Sequence, residues 1–513
     1  MSGTVTADAA PAPAPEETER RKHWWDVWFF LSCLVPLGVY LPHGFNSALT
    51  RDLGVYTYGG QGVADGELPY EAILNRAGPL AHLIPGIGIW LGRQAGMDDL
   101  FSARLLNMFI SMLCVGVAYL IGRDLYRSRL AGIVSATTLL CIEGFITYST
   151  GGPREKTALV LFVLLAALAM IHRRWGVTGF FIALATLTWQ PVFFAAAAGA
   201  AVAALLAERT GKLKALVLIA IGGIIPTAIT IGVYAAAGQL KLFFDDFLII
   251  NAEYTRQTSF LDHPGTIWGY MTDAYGWSLY VFIGGLVVQL GLAIAALRGP
   301  TRRTTEGAAQ IGFGVVTVVG LIWSAKAFNG FPDAFFVLPE AVIGIGGLAA
   351  LLRARTNVRV VLVATLVWVV VATGLSVRFS VLNRDDSLLA QRADVRHVMA
   401  LLPTDATMVT VEAPQPLVLA HKRNLTRYQL FGNGLIDYLE ATWPGGAAGY
   451  AQWIEQKAPT VITVGDDGPP DWLDPALGNY ARVGNSGKWA WYLNRDLGPE
   501  TLTQARDVLH DRS

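Results

Sequence analysis

The sequence predicts a polytopic α-helical membrane protein with a small α/β domain at its C-terminal end. Of its 513 residues, 53% are hydrophobic and only 15% are charged, against roughly 25% charged in an average soluble domain. Many apolar runs have about 18–22 residues, the length needed to cross a hydrocarbon layer of about 30 Å. Residues 378–513 differ, because they contain short β-type and helical patterns instead of long apolar runs.

The composition argues against several other classes. Lys plus Arg and Asp plus Glu both number 39. The net charge is therefore zero, and no excess of positive charge indicates a nucleic-acid partner. Cys33, Cys114 and Cys141 lie in apolar runs without a C-x-x-C spacing, which argues against a disulfide framework or a zinc site. No phosphate-binding loop, dinucleotide motif or hydrolase nucleophile motif occurs in a suitable context, so these chemistries lack support.

The N-terminal residues 1–22 predict a disordered cytoplasmic tail. They are rich in Ala, Pro and charge, and offer little to bury. Arg20, Arg21 and Lys22 immediately precede the first apolar run, and basic residues mark cytoplasmic ends. The chain therefore starts on the inside of the cell (plasma or inner) membrane.

Residues 23–377 predict a membrane module of about eleven transmembrane helices, with every cytoplasmic turn basic. The expected helices lie at about 25–43, 102–122, 130–149, 157–171, two short helices within 177–207, 215–237, 277–297, 308–328, 334–352 and 358–377. This threading leaves residues 378–513 outside the membrane as an extracytoplasmic α/β domain. In that domain, "ATMVTVEAP", "APTVITVGD" and "KWAWYLN" predict strands, whereas "RADVRHVMALLP" and "GYAQWIEQK" predict helices.

The stretch 177–207 is too long for one crossing and too short for two full ones. Pro191 in "TWQP" cannot continue a helix without breaking its hydrogen bonds. Two short helices should therefore meet near Gln190. Because non-helical backbone at that depth requires a protein interior or a wet cavity, Gln190 is a candidate cavity residue.

A large first external loop, residues 44–101, should contain two short helices lying along the membrane. Its segment "LTRDLGVYTYGGQGVADGELPYEAILNRAGPL" is rich in charge, glycine and tyrosine. The apolar part of residues 79–96 has only about fourteen residues and includes Pro85, so a surface or re-entrant helix fits better than a crossing. Counting it as a crossing would invert every later loop.

Asp52 is the strongest catalytic candidate in this loop. A carboxylate at the start of a helix suits the positive end of the helix dipole and stays ionised. It could accept a proton from a hydroxyl group as a general base, or hold an amine or cation. The alternative is that Asp52 only caps the helix.

The motif "GGPREKT" places Arg154, Glu155 and Lys156 at an external turn. The two cations could hold a phosphate or pyrophosphate, with Glu155 orienting either one. Arg76 and Arg104 could serve the same phosphate. The alternative is an ordinary solvated loop, although short external loops usually avoid Arg and Lys.

Other polar residues allow more than one interpretation. Asn251 and Tyr254, in "FLIINAEYTRQ", could contact a sugar or anchor the chain at the interface. Glu143 and Glu340 are intramembrane acids, which are costly and face a cavity or a partner such as Lys326.

The loop segment resembles the first external loop of the GT-C superfamily of membrane glycosyltransferases. It is most similar to the bacterial protein-mannosyltransferase and aminoarabinose-transferase branch. The matching positions are Asp52, Tyr56, Tyr58, Gly66, Pro69, Tyr70, Arg76 and Pro79. "SARLLN", "LATLTWQP" and "FPDAFFVLPEA" are similar to later family motifs.

The resemblance implies an inverting transfer of a sugar from a polyprenyl-phosphate donor to a glycan, lipid or protein acceptor outside the membrane. It implies Asp52 as the base, whereas the phosphate would be bound by Arg76, Arg104, Arg154 and Lys156. Substrate contacts are expected from Tyr56, Tyr58, Glu155, Gln190, Asn251 and Tyr254. Leu53 replaces a second family acid, so no metal site is expected, although a divalent cation stays open.

Two other functions stay open. A transporter or flippase of lipid-linked sugars would use the same phosphate-binding groups without transfer. A non-catalytic member could instead support an assembly of the cell envelope. Asp52 should be indispensable only to the transferase, whereas Glu143 would matter more to a transporter.

Overall fold

The computed structural model describes residues 26–256 and 259–510, so the predicted tail at residues 1–22 lies outside the described part. Helices make up most of the structure. The helices before residue 383 are α1 (Val27–Leu34), α2 (Leu37–His43), α3 (Arg51–Ala64), α4 (Leu80–Gln94), α5 (Asp99–Leu125), α6 (Arg129–Leu140), α7 (Glu143–Gly151), α8 (Glu155–Ile171), α9 (Trp175–Thr188), α10 (Val192–Ala207), α11 (Lys212–Ala236), α12 (Leu240–Phe244), a π-helix (Asp245–Tyr254), α13 (Pro264–Tyr275), α14 (Ser278–Arg298), α15 (Thr305–Lys326), α16 (Leu338–Arg355) and α17 (Val358–Leu382). Short 3₁₀ helices cover Pro300–Arg303 and Phe331–Val337.

Six of the described helices are long and apolar enough to cross a membrane, or seven if the bent pair α6–α7 forms one span. The axes of α6 and α7 differ by 68°. The remaining predicted spans correspond to shorter helices, such as the broken pair α1–α2 and the 17-residue α8. A multi-pass membrane protein is therefore confirmed, whereas the number of eleven crossings stays a prediction.

The break predicted near Gln190 is present. Helix α9 ends at Thr188, α10 begins at Val192, and Pro191 occupies the cap position between them. The proline ring removes a backbone donor at this point, so one continuous helix is not possible.

Ion pairs gather the predicted cytoplasmic ends on one side of the helix assembly. Asp26 Oδ2 lies 3.5 Å from Arg123 Nη1 and 3.4 Å from Arg129 Nε. Arg127 Nη2 lies 2.5 Å from Glu306 Oε1. The start of α1, the α5–α6 turn and the start of α15 therefore share one side, as the alternation of basic turns requires.

The first loop contains the two predicted helices, α3 and α4. They pack closely because glycines replace larger side chains at their contact. A Cβ atom at Gly59 would lie 2.0 Å from Nδ1 of the buried His82, and one at Gly60 would lie 3.1 Å from the backbone of Gly86. Any side chain at Gly59 would displace that histidine.

The C-terminal domain contains a four-stranded sheet with strand order β1-β2-β4-β3. Its strands are β1 (Met408–Val411), β2 (Val461–Gly465), β3 (Tyr480–Ser486) and β4 (Trp489–Asn494). Its helices are α18 (Ser387–Ala400), α19 (Gln415–Ala420), α20 (Leu435–Thr442), α21 (Gly446–Lys457), α22 (Asp474–Leu477) and α23 (Gly498–His510), with short 3₁₀ turns at Asp471–Leu473 and Arg495–Leu497. Strand β1 is parallel to β2, whereas β4 is antiparallel to both β2 and β3.

The predicted α/β character of this domain is confirmed, and the three predicted strands correspond to β1, β2 and β4. Strand β3 was not predicted. Its pairing with β4 is irregular between Arg482 and Gly484, and this irregularity disturbs the alternating pattern by which strands are recognised. The predicted boundary at residue 378 lies inside α17, which continues to Leu382, and that boundary stays a prediction.

The C-terminal domain packs directly on α3. Leu53 and Tyr58 of α3 belong to the same apolar cluster as Trp489 and Trp491 of β4. At Gly54, a Cβ atom would lie 3.2 Å from Pro414 of the C-terminal domain. Helix α3 is therefore enclosed between the membrane helices and this domain.

Candidate active site

A cavity of about 560 Å³ lies where the first loop, the membrane helices and the C-terminal domain meet. Its wall includes the start of α3, the α7–α8 junction, the α9–α10 break, the π-helix and the turn after α15. Eight of the residues predicted from the sequence line it: Asp52, Tyr56, Arg76, Arg154, Glu155, Lys156, Gln190 and Asn251.

Asp52 is the second residue of α3, and the capping position belongs to Thr50, whose side chain accepts a hydrogen bond from Leu53 N. Asp52 Oδ2 accepts a 2.6 Å hydrogen bond from Arg154 Nη1, and Oδ1 lies 3.3 Å from Arg51 Nη2. Burial would raise the pKa of Asp52, but the charges of Arg154 and Arg51 outweigh it and hold that pKa well below its usual range. The carboxylate is therefore ionised at neutral pH, and its side chain is 44% exposed to the cavity.

Asp52 belongs to a row of charges that alternate in sign along the cavity wall. The row runs Glu412, Arg51, Asp52, Arg154, Glu155, Lys156 and Asp333. Arg51 Nη1 lies 2.8 Å from Glu412, Arg154 Nε lies 3.3 Å from Glu155, and Lys156 Nζ lies 3.5 Å from Glu155. Each cation of the row thus already faces a carboxylate of the protein.

The far end of this row is fixed by the turn after α15. Lys156 Nζ donates a short hydrogen bond to Asp333, whose other oxygen accepts a 2.7 Å hydrogen bond from Asn329 N. Both Lys156 and Asp333 are buried. This packing holds the ammonium group at the cavity wall.

Aromatic rings cover the same cations. The Arg154 guanidinium lies 5.7 Å from the ring centre of Tyr56 and 5.6 Å from that of Tyr148. Lys156 Nζ lies 4.8 Å from the ring centre of Trp189. Ring faces attract cations electrostatically. Tyr56 therefore helps to position the Arg154 guanidinium and also lines the cavity.

Arg76 differs from the other cations of the cavity because it forms no ion pair among the described residues, whereas Arg154 Nε, which also lacks a hydrogen-bond partner there, lies 3.3 Å from Glu155 Oε2. Arg76 Nη1 is buried and has no hydrogen-bond partner within residues 26–256 and 259–510. A buried donor without a partner costs free energy, and an anion in the cavity would supply the missing acceptor. Arg76 is therefore the group most available to a phosphate.

Gln190 and Asn251 hold the backbone of Arg76. Gln190 Nε2 donates to Arg76 O at 3.0 Å and to Phe247 O at 2.9 Å. Asn251 Nδ2 donates to Arg76 O at 2.8 Å. Their amide nitrogens are thus committed to the protein, so both residues support Arg76 as well as lining the cavity.

Arg104 lies outside the cavity lining. It is fully buried in α5, where it donates to the carbonyl oxygens of Phe45, Ser47 and Gly152. These bonds tie the chain before α3 to the α7–α8 junction. A direct contact with a donor phosphate, as expected from the sequence, would require them to break.

Tyr58 and Tyr254 also lie outside this cavity lining. The Tyr58 hydroxyl accepts a 2.9 Å hydrogen bond from Asn424 N. The Tyr254 ring packs edge-on against Tyr438, with ring centres 5.4 Å apart. Both tyrosines therefore contact the C-terminal domain, a role that their position beside the membrane did not indicate.

One flank of the cavity is apolar and open to the surroundings of the helix assembly. Phe193 and Phe194 at the start of α10 are 46% and 62% exposed, and Leu248 of the π-helix is 47% exposed. Trp323 of α15 also lines this flank. The cavity thus joins a charged wall to an apolar surface, as a site for an amphiphilic molecule requires.

Three charged members of the site were not among the site residues that the sequence predicted: Arg51, Asp333 and Glu412. Arg51 precedes Asp52 directly, and Asp333 occurs within "FPDAFFVLPEA", so proximity to a motif was the available signal for both. Glu412 follows the predicted strand in "ATMVTVEAP", and its approach to Arg51 could not be read from the sequence.

No group of three or more His, Cys, Asp or Glu side chains suited to a metal ion occurs within the described ranges. The two acids predicted to lie within the membrane, Glu143 and Glu340, are outside the cavity lining. Glu143 begins α7 at the α6–α7 bend, whereas Glu340 Oε2 is buried without a hydrogen-bond partner among the described residues. The expected Lys326 partner does not pair with either acid in this part of the chain.

The fold is similar to that of solved membrane enzymes. The crystal structure of ArnT (aminoarabinose transferase) from Cupriavidus metallidurans bound to undecaprenyl phosphate matches with a TM-score of 0.62 at 15% identity, over 92% of this chain and 99% of that one. The apo structure of ArnT matches with a TM-score of 0.56 at 14% identity, over 92% and 99% of the two chains. Arabinofuranosyltransferase AftD from Mycobacteria, solved by electron cryo-microscopy, matches with a TM-score of 0.52 at 14% identity, over 91% of this chain and 40% of that one.

No protein-family profile matches the chain, and no curated protein matches its sequence. The structural matches confirm the GT-C fold that the loop motif predicted. At 14–15% identity they establish the fold alone.

Proposed function

We propose that this protein is an inverting glycosyltransferase that moves a sugar from a polyprenyl-phosphate donor to an acceptor on the extracytoplasmic side of the cell membrane. The observation that carries the proposal is the cavity itself. It combines an ionised Asp52, the cations Arg76, Arg154 and Lys156, and an apolar flank. The undecaprenyl phosphate bound to the similarly folded ArnT supports a lipid phosphate as ligand.

The donor phosphate is proposed to bind between Arg76 and the Arg154–Lys156 pair. Arg76 has a buried Nη1 without a partner in the described part of the chain. Arg154 and Lys156 provide a fork and a point charge, the two usual ways in which proteins hold a phosphate. The prenyl chain would leave along Phe193 and Phe194, where its apolar surface need not meet water.

In the proposed reaction, an acceptor hydroxyl oxygen attacks the anomeric carbon from the face opposite the phosphate. A new C–O bond forms as the C–O bond to the phosphate breaks, and the electron pair leaves with the polyprenyl phosphate. The hydroxyl proton passes to Asp52. Because the pKa of Asp52 is held low, the proton transfers only as the attacking oxygen becomes strongly acidic in the transition state.

The proposed orientation has the N-terminus inside and the C-terminal domain outside. The grouping of Asp26, Arg123, Arg127 and Arg129 at one side supports it, because basic turns favour the cytoplasm. The acceptor would then approach from the side of the C-terminal domain, where Gly432 and Asn433 line the cavity.

The function is tested by offering purified protein in lipid nanodiscs a panel of polyprenyl-phosphate sugars with a small acceptor library. We expect turnover with one donor, measured as sugar transfer and release of lipid phosphate. Asp52→Asn should reduce kcat about 100-fold or more, since a positioned general base contributes about 10²–10⁴-fold. Donor binding should persist.

Asp273→Asn is the matched control, because Asp273 is exposed on α13 and lies outside the cavity lining. It should retain the wild-type rate. Full turnover by Asp52→Asn would contradict the assigned base. If the protein instead moved a lipid-linked sugar across a vesicle membrane without transferring the sugar to an acceptor, it would be a flippase.

A further inference from the structure

Glu412 has an unusual backbone and is fixed within the C-terminal domain. It directly follows β1 and has a φ of 57°, in the left-handed region that residues with a side chain seldom adopt. Its N–H donates to Gln429 O at 2.7 Å, and its Oε1 accepts from Phe431 N and Gly432 N at 2.5 and 2.6 Å. Such a conformation persists only where the surroundings fix it.

The other carboxylate oxygen of Glu412 points at the site. Glu412 Oε2 accepts a 2.8 Å hydrogen bond from Arg51 Nη1, while Arg51 Nη2 lies 3.3 Å from Asp52 Oδ1. The Arg51 guanidinium is therefore shared between an acid of the C-terminal domain and the proposed base of the first loop. Glu412 is only 19% exposed, whereas Arg51 is 41% exposed.

The charge of Glu412 balances the net charge of the cavity. The row contains four carboxylates and three cations, and Arg76 brings the cations to four. Removing the charge of Glu412 would leave an excess of one positive charge beside the proposed phosphate site. It would also free Arg51 to turn from Asp52 towards the phosphate.

We infer that Glu412 is a positioning residue by which the C-terminal domain neutralises Arg51, keeps it beside Asp52 and keeps it off the donor phosphate. This inference rests on the proposed function, and it makes the C-terminal domain part of the catalytic machinery. Tight phosphate binding at Arg51 would otherwise stabilise the bound donor and the released lipid phosphate more than the transition state, and would slow turnover.

The test measures the affinity for undecaprenyl phosphate by native mass spectrometry, together with kcat in the transfer assay. Glu412→Gln keeps an oxygen for Phe431 N and Gly432 N but loses the charge. It should bind the lipid phosphate about three- to tenfold more tightly, an effect limited by the partial exposure of the pair, while kcat falls about tenfold. Arg51→Gln should bind more weakly.

The double variant Glu412→Gln/Arg51→Gln restores the charge balance, so its affinity should return to within about twofold of wild type. A loss of folding alone would not tighten binding in one variant and reverse it in another. Asp437→Asn is the control, because the Asp437–Arg256 pair also joins the domain to the rest of the chain but is 41% and 71% exposed and lies outside the cavity lining. It should leave both quantities unchanged.

The outcomes separate this inference from the proposed function. Unchanged affinity in Glu412→Gln, or no binding by any variant, would overturn the inference. A double variant that binds as tightly as Glu412→Gln alone would also overturn it, because the gain in affinity would then not depend on Arg51. The predicted affinity pattern without turnover on any donor would support the inference and contradict the transferase.

Discussion

Arg76 is the residue on which donor binding is expected to depend most. Within the described ranges, the Arg51, Arg154 and Lys156 cations already face carboxylates, whereas Arg76 Nη1 has no hydrogen-bond partner. A phosphate that binds to Arg76 displaces no protein contact, so its binding energy is not offset by a broken ion pair. Binding at Arg154 requires competition with Asp52.

Arg76→Gln should raise the Kd for undecaprenyl phosphate about tenfold or more, since hydrogen bonds to charged groups contribute about 1.5–3 kcal/mol. Thermal stability should be unchanged or slightly higher, because the substitution removes a buried Nη1 that makes no hydrogen bond within the described ranges. Native mass spectrometry and thermal unfolding check the two expectations. Arg302→Gln, an exposed arginine outside the cavity lining, is the control; unchanged affinity in Arg76→Gln would remove Arg76 from the phosphate site.

At the scale of single elements, helices α9 and α11 approach each other through glycine. A Cβ atom at Gly222 would lie 1.9 Å from Gly176 O, and one at Gly179 would lie 1.9 Å from Ile219 O. Small residues allow membrane helices to pack backbone against backbone. Because α9 ends beside Gln190, this packing also determines where the helix break meets the cavity.

Gly222→Ala should therefore separate α9 from α11 and lower stability by about 1–3 kcal/mol, the usual cost of forcing extra volume into a packed contact. Gly232→Ala in the same helix is the matched control, since a Cβ atom there has no neighbour within 4 Å. It should be neutral or slightly stabilising, because alanine favours helix. Thermal unfolding in detergent compares them; equal stability of the two variants would contradict this account of the contact.

At the scale of the whole molecule, a buried ion pair joins the C-terminal domain to the π-helix. Arg427 Nη1 lies 2.7 Å from Asp246 Oδ2, with the Asp246 side chain fully buried and Arg427 17% exposed. Burial raises the pKa of Asp246 to about 7, although Arg427 opposes that shift. The folded state therefore holds a proton that the unfolded state releases near pH 4, so this group lowers stability as pH rises towards 7.

Arg427→Gln removes the opposing charge and should raise the pKa of Asp246 further. The loss of stability relative to wild type should be small at pH 5.5, where Asp246 is protonated. It should grow to about 2 kcal/mol at pH 8.5, because there the variant must either keep Asp246 protonated against the solvent pH or hold an unpaired buried charge. Thermal unfolding across this range measures the difference, and Asp246→Asn should abolish its pH dependence. A loss that is the same at every pH would contradict the buried pair as its cause.

Much of the fold could be predicted because its signals are local. Apolar runs with basic flanks identified the segments that became helices α5, α11 and α14 to α17. Pro191 identified the α9–α10 break because the effect of proline is also local: it has no backbone N–H to donate, whatever the tertiary structure around it. Strand β3 was missed because the bulge at Arg482–Gly484 interrupts the local pattern.

The sequence by itself determined the membrane-spanning class and the positions of the long apolar helices, and it selected the charged residues proposed to form the site, including Asp52, Arg76, Arg154 and Lys156. Only the tertiary structure decided which charges are paired across the site, because the pairs Arg51–Glu412, Asp52–Arg154 and Lys156–Asp333 join residues far apart in the chain. Glu412 contacts Arg51 across 361 positions, and Gln190 holds the carbonyl of Arg76 across 114. Hydropathy and motif spacing describe a residue and its sequence neighbours, whereas the charge available to a ligand depends on neighbours that folding alone brings within hydrogen-bond distance.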